Sequence, residues 1–215
     1  MLVIDTCYFG RGFGVLVLRD VYEKENLFWK FVEYETIAHY QRAVEELKKQ
    51  GFNILGITAD GKRGIFNAFN NIPVQMCQFH QKQIVRKYIT NNPILEAGIE
   101  LKVIVDRLTA TDKASFEYWL SEWFFKWKDF LNEKTEDLFT GRKHFTHSRL
   151  RSAYTSLKTN LPYLFTCEEY FHLKMPNTCN SLDGTFSHLK DKIRVHRGLK
   201  LHRKMKLIEE LLKKK

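Results

Sequence analysis

Residues 52–60, FNILGITAD, determine the predicted topology, because they return to strand composition directly after an amphipathic helix. That helix is predicted over residues 37–51, IAHYQRAVEELKKQG, where apolar residues recur with a period of 3.6 and Gly51 is a stop signal. A strand that follows a crossover helix in the same sheet runs parallel to the strand before it, with a right-handed connection. We therefore expect residues 52–60 to lie beside the first strand and to point the same way.

The segments around this stretch predict a βββαβαβα order. Upstream, three runs rich in β-branched and aromatic residues predict an antiparallel meander over 2–9, 13–23 and 27–36. Downstream, the pattern predicts a short helix, a strand and a helix over 64–71, 74–79 and 80–90. This order favours an α/β domain, in which a mixed sheet carries helices on its faces.

From residue 94 to residue 165 the sequence lacks strand signals and predicts an all-helical insertion. In residues 112–131 a stripe of aromatic side chains recurs at three- and four-residue spacing, and we interpret it as a core face rather than a base-stacking surface. Another helix is predicted over 148–165, ending near Pro162. The expected organisation is a core over 1–92, a helical insertion over 93–175, and a C-terminal helix with a basic tail over 176–215, which completes the core.

Composition and charge narrow the class of protein. Apolar residues make up 44% of the 215-residue chain, no apolar run approaches the roughly 20 residues that span a bilayer, and the four cysteines are widely scattered. We expect a soluble protein of a reducing compartment, cytoplasmic and nucleoid-associated in a prokaryote, with no membrane partner.

The positive charge is concentrated near the end of the sequence. Residues 187–215 hold eleven Lys or Arg against three acids, whereas the net charge of the whole chain is +10. Such a basic stretch suits nucleic acid, although a solvated helix with a lysine tail is an equally simple interpretation.

Two aspartates on neighbouring predicted strands are candidates for a metal site. Asp5 interrupts the apolar first strand, and Asp60 closes residues 52–60. A carboxylate in a buried strand is costly unless it is paired or holds a metal, and hard cations such as Mg²⁺ or Mn²⁺ select carboxylates. Asp183 is the candidate third acid, because it lies where the last helix begins. Asp60 and Asp183 also suit a turn or a helix cap, and Glu168, Glu169 and Asp191 are rivals of Asp183 as the third acid.

Cys77 and His80 form a C-x-x-H pair between a strand and a helix. A tetrahedral zinc site needs two more ligands, and no second pair with ligand spacing supplies them. The fold would have to bring further ligands close to this pair to complete such a site, and the candidates are Cys7, Cys167, Cys179 and His172. A buried Cys77 that packs as a small apolar residue is the commonest alternative.

Taken together, these features resemble the catalytic domain of mutator-type DDE transposases, which have a ribonuclease H-like fold. The resemblance rests on Asp5, Asp60, the C-x-x-H pair, a helical insertion and then NSLDGTFSHLKDKI, residues 180–193. In that family the last motif reads Asn, two small or apolar residues and a catalytic Glu, so Asp183 occupies the Glu position. The family also carries a DNA-binding region ahead of the first strand. The resemblance therefore implies an N-terminally truncated copy with a DDD set.

The resemblance implies metal-dependent strand cleavage and strand transfer at transposon ends. Asp5, Asp60 and Asp183 would hold two Mg²⁺ or Mn²⁺ ions, and Cys77 and His80 would support the site without binding zinc. The partners would be double-stranded DNA, at transposon ends and target, and further copies of the chain assembled on it. The candidate phosphate contacts are Lys62, Arg63, Lys190, Lys192, Arg194 and Arg197.

Two other functions stay open on the sequence alone. A catalytically inactive, transposase-derived DNA-binding or oligomerisation module is favoured by the shorter Asp183 and by the few residues that precede Asp5. An ordinary ribonuclease H-like nuclease explains the acids and the strand order, but it explains neither the helical insertion nor the C-x-x-H pair.

Overall fold

The computed structural model describes residues 1–10 and 12–213. Seven strands are present in this part of the chain: β1 (Leu2–Tyr8), β2 (Gly14–Asp20), β3 (Asn26–Val32), β4 (Ile57–Ala59), β5 (Val74–Met76), β6 (Lys134–Glu136) and β7 (Lys143–Phe145). The α-helices are α1 (Ile37–Lys49), α2 (Gln78–Ile89), α3 (Glu96–Asp106), α4 (Lys113–Asn132), α5 (Ser148–Leu164), α6 (Thr166–Glu169), α7 (Asn180–Val195) and α8 (Leu201–Lys213). Short 3₁₀ helices cover Ile65–Asn67, Leu108–Ala110 and Phe171–Leu173.

The main sheet has five strands in the order β3-β2-β1-β4-β5. β1, β2 and β3 form an antiparallel meander, whereas β4 runs parallel to β1 and β5 runs parallel to β4. The predicted mixed α/β sheet and the parallel pairing of its first and fourth strands are therefore confirmed. β4 is much shorter than the predicted 52–60 segment. It begins just after Gly56, where an added Cβ would lie 2.9 Å from Cε of Met1.

The two faces of the sheet bury different helices. One face presents Leu2, Ile4, Leu16 and Leu18 to the apolar side of α1. The opposite face presents Val3, Cys7, Val15 and Val17 to α7 and α8. Because successive side chains of a strand point to opposite faces, the near-continuous apolar run of β1 supplies both layers.

A second core fills the helical region. It is built from α2, α3, α4 and α5, with α2 packed along α5. The aromatic stripe of α4 contributes Phe116 and Trp123, which are buried, and Trp127 and Phe130, which pack against that core from its edge. The prediction that the stripe is a core face is confirmed for these four side chains.

The all-helical description of the insertion is wrong, because β6 and β7 form an antiparallel hairpin within it. Each strand has three residues that are mostly exposed, so neither carries the alternating burial that would have signalled a strand. Gly141, with φ of +64°, provides the left-handed turn between them.

The predicted helix over 148–165 is confirmed, since α5 covers Ser148–Leu164 and ends just after Pro162, which lies inside it. Proline at this position removes only one hydrogen bond, in the last turn of a long helix.

The C-terminal region contains two helices where one was predicted. α8 turns the buried Ile208 and Leu212 toward the sheet, so most of the expected basic tail is a packed amphipathic helix. Lys214 and Lys215, the rest of that tail, lie outside the described residues. Over residues 1–10 and 12–213, no helix is both long enough and apolar enough to cross a membrane.

Gln75 joins the sheet to the helical region. It lies on β5 with no exposed surface, and its amide nitrogen donates to the carbonyl oxygens of Met76 and Leu164, each at 2.7 Å. Its side-chain oxygen accepts from the backbone N–H of Cys167 at 2.8 Å.

We expect Gln75→Ala to lower the free energy of unfolding by about 1–3 kcal/mol, because it removes the hydrogen bonds of a fully buried side chain to Met76, Leu164 and Cys167. Urea denaturation followed by circular dichroism measures the change. Gln50→Ala, at the exposed end of α1, is the matched control and should change stability by less than about 0.5 kcal/mol. Equal effects of the two substitutions would contradict this role of Gln75.

Candidate functional site

The pairing of β1 with β4 brings Asp5 and Asp60 together. The parallel ladder ends with Ile4 opposite Ala59, and the next residue on each strand is an aspartate. Every second side chain of a strand points to the same face of the sheet. Asp5 therefore shares the face of Val3 and Cys7, which is the face that α7 covers. Parallel strands end at the same edge, and both carboxylates therefore lie at the carboxyl edge of the sheet.

Helix α7 brings the third predicted acid to the same place. Asp183 lies in the first turn of α7, which packs on β1, and His80 lies in the first turn of α2. Ligand atoms of Asp5, His80 and Asp183 all lie within 4.8 Å of one another. These residues, with Asp60, Glu35 and Lys190, line an open cleft of about 590 Å³.

Burial and like charge raise the pKa values of the three aspartates. Burial, with the neighbouring charge of Asp60, raises the pKa of Asp5 to about 7. Burial also raises the pKa values of Asp60 and Asp183, and Glu35 adds repulsion at Asp60. The ionised cleft is thus destabilised by its own charge, and a bound cation would relieve that repulsion.

Hydrogen bonding leaves part of this carboxylate cluster free. Asp5 accepts from the backbone N–H of Thr6 at 2.7 Å, and Asp60 accepts from that of Lys62 at 3.1 Å. Oδ2 of Asp183 is buried and has no hydrogen-bond partner among the described residues. Asp183 does not cap its helix, since the cap position is Cys179. A set of carboxylate oxygens with one buried atom unpartnered fits a hard divalent cation.

The rival acids lie elsewhere. Glu168 and Glu169 bind the backbone N–H and the ammonium of Lys113, and Asp191 pairs with Arg194 at 3.1 Å.

Glu35 is a fourth acid of the cleft that sequence reasoning missed. It accepts from the hydroxyl of Tyr40 at 2.7 Å and forms an ion pair with Lys62 at 3.4 Å. Its backbone N–H donates to the hydroxyl oxygen of Tyr8 at 2.7 Å. The missed signal was positional: β3 runs in the same direction as β1, so the residues that follow it reach the same edge of the sheet.

The C-x-x-H pair lies next to the carboxylates. Cys77 is the N-cap residue of α2 and is fully buried. Cys179, the buried N-cap residue of α7, donates its backbone N–H to Sγ of Cys77 at 3.2 Å. The two sulfur atoms and a ring nitrogen of His80 lie within 4.8 Å of one another. Sequence reasoning had named Cys179 only as one of four residues that folding might bring near this pair.

These three side chains shift one another's protonation. A hydrogen bond from Cys179 lowers the pKa of the Cys77 thiol to about 4, and a hydrogen bond to Cys77 raises the pKa of His80 to about 9. The pKa of Cys179 is raised because its thiol donates to Cys77 and is buried. Both shifts favour the charged forms of Cys77 and His80, because each group stabilises the other's charge.

The predicted phosphate-contacting residues fall into two groups. Lys190, Arg194 and Arg197 line a groove of about 580 Å³, together with Lys204 and the aromatic rings of Tyr8, Phe9 and Phe13. This groove shares Tyr8 and Lys190 with the carboxylate cleft.

The other three predicted cations do not line the groove. Lys192 and Arg63 are exposed, and Lys62 is held by Glu35.

No protein-family model matches the sequence, and a search of curated proteins finds no match. A functional interpretation therefore depends on the cleft and the groove beside it. The cleft offers carboxylates that can hold a metal ion, and the groove offers Lys and Arg side chains that can hold a phosphate. Metal-assisted phosphodiester chemistry needs both kinds of group side by side.

Replacing Asp5 with Asn should stabilise the protein at high pH when divalent cations are removed with EDTA. Because the folded-state pKa is about 7 against an ordinary value of 3.8, the wild type loses stability as pH rises between these values, by at most about 4 kcal/mol. Asp5→Asn should therefore unfold at a higher temperature than wild type at pH 8, with little difference at pH 4.

Thermal unfolding at several pH values measures this difference. Asp129→Asn, at an exposed position of α4, is the control and should behave like wild type. A wild type that is more stable than Asp5→Asn at pH 8 in EDTA would show that the repulsion described above is absent.

Proposed function

We propose that this chain is the catalytic domain of a DDE-type DNA transposase of the mutator type, with a ribonuclease H-like sheet. The observation that carries the proposal is the convergence of Asp5, Asp60 and Asp183 at the carboxyl edge of the sheet. The strand order β3-β2-β1-β4-β5, with only β2 antiparallel to its neighbours, supports the fold assignment.

The carboxylates are the residues that would hold Mg²⁺ or Mn²⁺. When bound, the cations would supply the Lewis acidity needed for phosphodiester cleavage and transfer. Lys190 lies between cleft and groove, where its ammonium can hold the phosphate next to the reacting one. His80 lies within 4.8 Å of Asp5 and Asp183 and limits their repulsion.

The proposed reaction has two steps at one site. In the first step water attacks a phosphodiester at the transposon end, one P–O bond forms and one breaks, and a 3′-hydroxyl is released. In the second step that hydroxyl attacks a phosphodiester of the target DNA, and a new P–O bond replaces the old one. The cleft is open and shares Tyr8 and Lys190 with the groove, so water and then DNA can reach the same carboxylates.

Metal-dependent nicking of supercoiled plasmid DNA tests the proposal. Asp60→Asn and Asp183→Asn should each reduce nicking by about 100-fold or more, because loss of even an outer partner of a metal costs about 10–100-fold. Asp183→Glu should retain nicking, since it keeps the carboxylate that the resemblance places there. Asp191→Asn, an exposed position on the same helix, is the control.

Three results would count against the proposal in different ways. DNA binding without nicking by wild type, in Mg²⁺ and in Mn²⁺, would favour an inactive DNA-binding module. Cleavage of RNA–DNA hybrids in preference to duplex DNA would favour a ribonuclease H-like nuclease. Nicking that survives Asp60→Asn would place the reaction at another site or in a contaminant.

The groove predicts the salt dependence of DNA binding. Each phosphate contact adds about 0.9 to the slope of log affinity against log salt, so Lys190→Ala and Arg197→Ala should each flatten it by about one unit. Lys192→Ala removes the same charge outside the groove and should change the slope less. Fluorescence anisotropy with a DNA duplex over a range of salt concentrations measures the slopes. Equal changes of slope in all three variants would show that the groove is not the DNA-binding surface.

A further inference from the structure

The side chains of Cys77, His80 and Cys179 form a second cluster, and the proposed reaction assigns no role to its two cysteines. Cys77 and Cys179 are fully buried. Their two sulfur atoms and a ring nitrogen of His80 all lie within 4.8 Å of one another. We propose that this cluster is a zinc site, with Cys77, His80 and Cys179 as its three protein ligands. The proposal does not rest on the transposase assignment.

The donor set selects the metal. Thiolate sulfur is a soft ligand that favours Zn²⁺ over Mg²⁺ or Mn²⁺, and imidazole suits zinc as well. In a tetrahedral zinc site the donor atoms lie about 3.6–3.8 Å apart, as follows from zinc–ligand bonds of about 2.0–2.3 Å. The observed separations, at most 4.8 Å, would close by about 1 Å through side-chain rotation.

Three protein ligands leave the fourth position of a tetrahedral zinc site to a water molecule. The surroundings of the cluster also leave one nitrogen of His80 available. Nδ1 of His80 is buried and has no hydrogen-bond partner among the described residues. The carboxylates of Asp5 and Asp183 lie beside the same ring. A histidine that binds zinc through one nitrogen typically donates the N–H of the other to a carboxylate, which fixes the orientation of the ring. His80 belongs to both clusters, so a zinc bound by its ring would lie close to the carboxylates of Asp5 and Asp183.

The cysteine backbone is already held in position. Cys77 begins α2 and Cys179 begins α7, and helix N-termini stabilise negatively charged sulfur. The two N-termini are tied together, because the backbone N–H of Gln78 donates to the carbonyl of Asn177 at 2.8 Å and the side-chain amides of these residues bond at 3.0 Å. Zinc would lock α7, which carries Asp183, to the end of β5.

The metal content of the purified 215-residue chain is the first test. Protein expressed with zinc in the medium and purified without chelator should contain about one zinc per chain by mass spectrometry of the metals. Cys77→Ser and Cys179→Ser should each lower that content at least about tenfold. Cys167→Ser, at a cysteine outside the cluster, is the matched control and should keep the zinc. Circular dichroism establishes that each variant is folded.

Cobalt substitution of wild-type protein keeps the test valid if the cysteine variants do not fold. Co²⁺ held by thiolates gives a sulfur-to-metal charge-transfer band in the near ultraviolet and intense visible bands of tetrahedral geometry. We expect both features, and we expect them to persist in Asp60→Asn, whose carboxylate is not a ligand of this cluster. That persistence separates this proposal from the carboxylate site of the proposed transposase.

Three outcomes would overturn the zinc site. The first is protein with less than about one tenth of a zinc per chain that also gives no charge-transfer band with Co²⁺. The second is zinc that survives loss of both cysteines but disappears in Asp5→Asn, which would place the metal on the carboxylates. The third is a disulfide between Cys77 and Cys179 in protein purified without reductant, which mass mapping of the free thiols would reveal.

Discussion

The mutual repulsion of Asp5 and Asp60 is the constraint on which the rest of the site depends. Parallel pairing of β1 with β4 leaves the two carboxylates side by side at the end of an apolar ladder. An ionised carboxylate in such a place loses solvation, and a second one nearby adds repulsion. The sheet tolerates both acids because they lie at its carboxyl edge, where the strands end and an open cleft admits water and ions.

Two helix N-termini meet over that edge and offset part of the repulsion. α2 and α7 begin at Cys77 and Cys179, and the backbone N–H of Cys179 reaches Sγ of Cys77. The N-terminal end of a helix carries a partial positive charge. Asp183, in the first turn of α7, therefore brings a third carboxylate to the cleft together with a favourable dipole. The helices that position the side chains of the site also stabilise their charge.

The sequence predicted the features that depend on local pattern and missed those that depend on distant packing. Asp5 and Asp60 were found because a crossover helix between two strands requires parallel pairing. Cys179 and Glu35 carry no local signal, since each reaches the site only through the placement of α7 and β3. The hairpin of β6 and β7 was missed for a different reason: its strands are short and mostly exposed, so they leave no periodicity to detect.

His80 connects two groups of opposite ligand character. A ring nitrogen of His80 lies within 4.8 Å of the thiol sulfurs of Cys77 and Cys179, and a ring nitrogen lies within 4.8 Å of carboxylate oxygens of Asp5 and Asp183. Ligand softness would direct Mg²⁺ to the carboxylates and Zn²⁺ to the sulfurs, although the two sites are neighbours. Because the charge of His80 lowers the pKa values of Asp5 and Asp183, a change in the protonation or ligation of His80 alters the charge that both carboxylates experience. The C-x-x-H pair is thus coupled electrostatically to the carboxylate cleft.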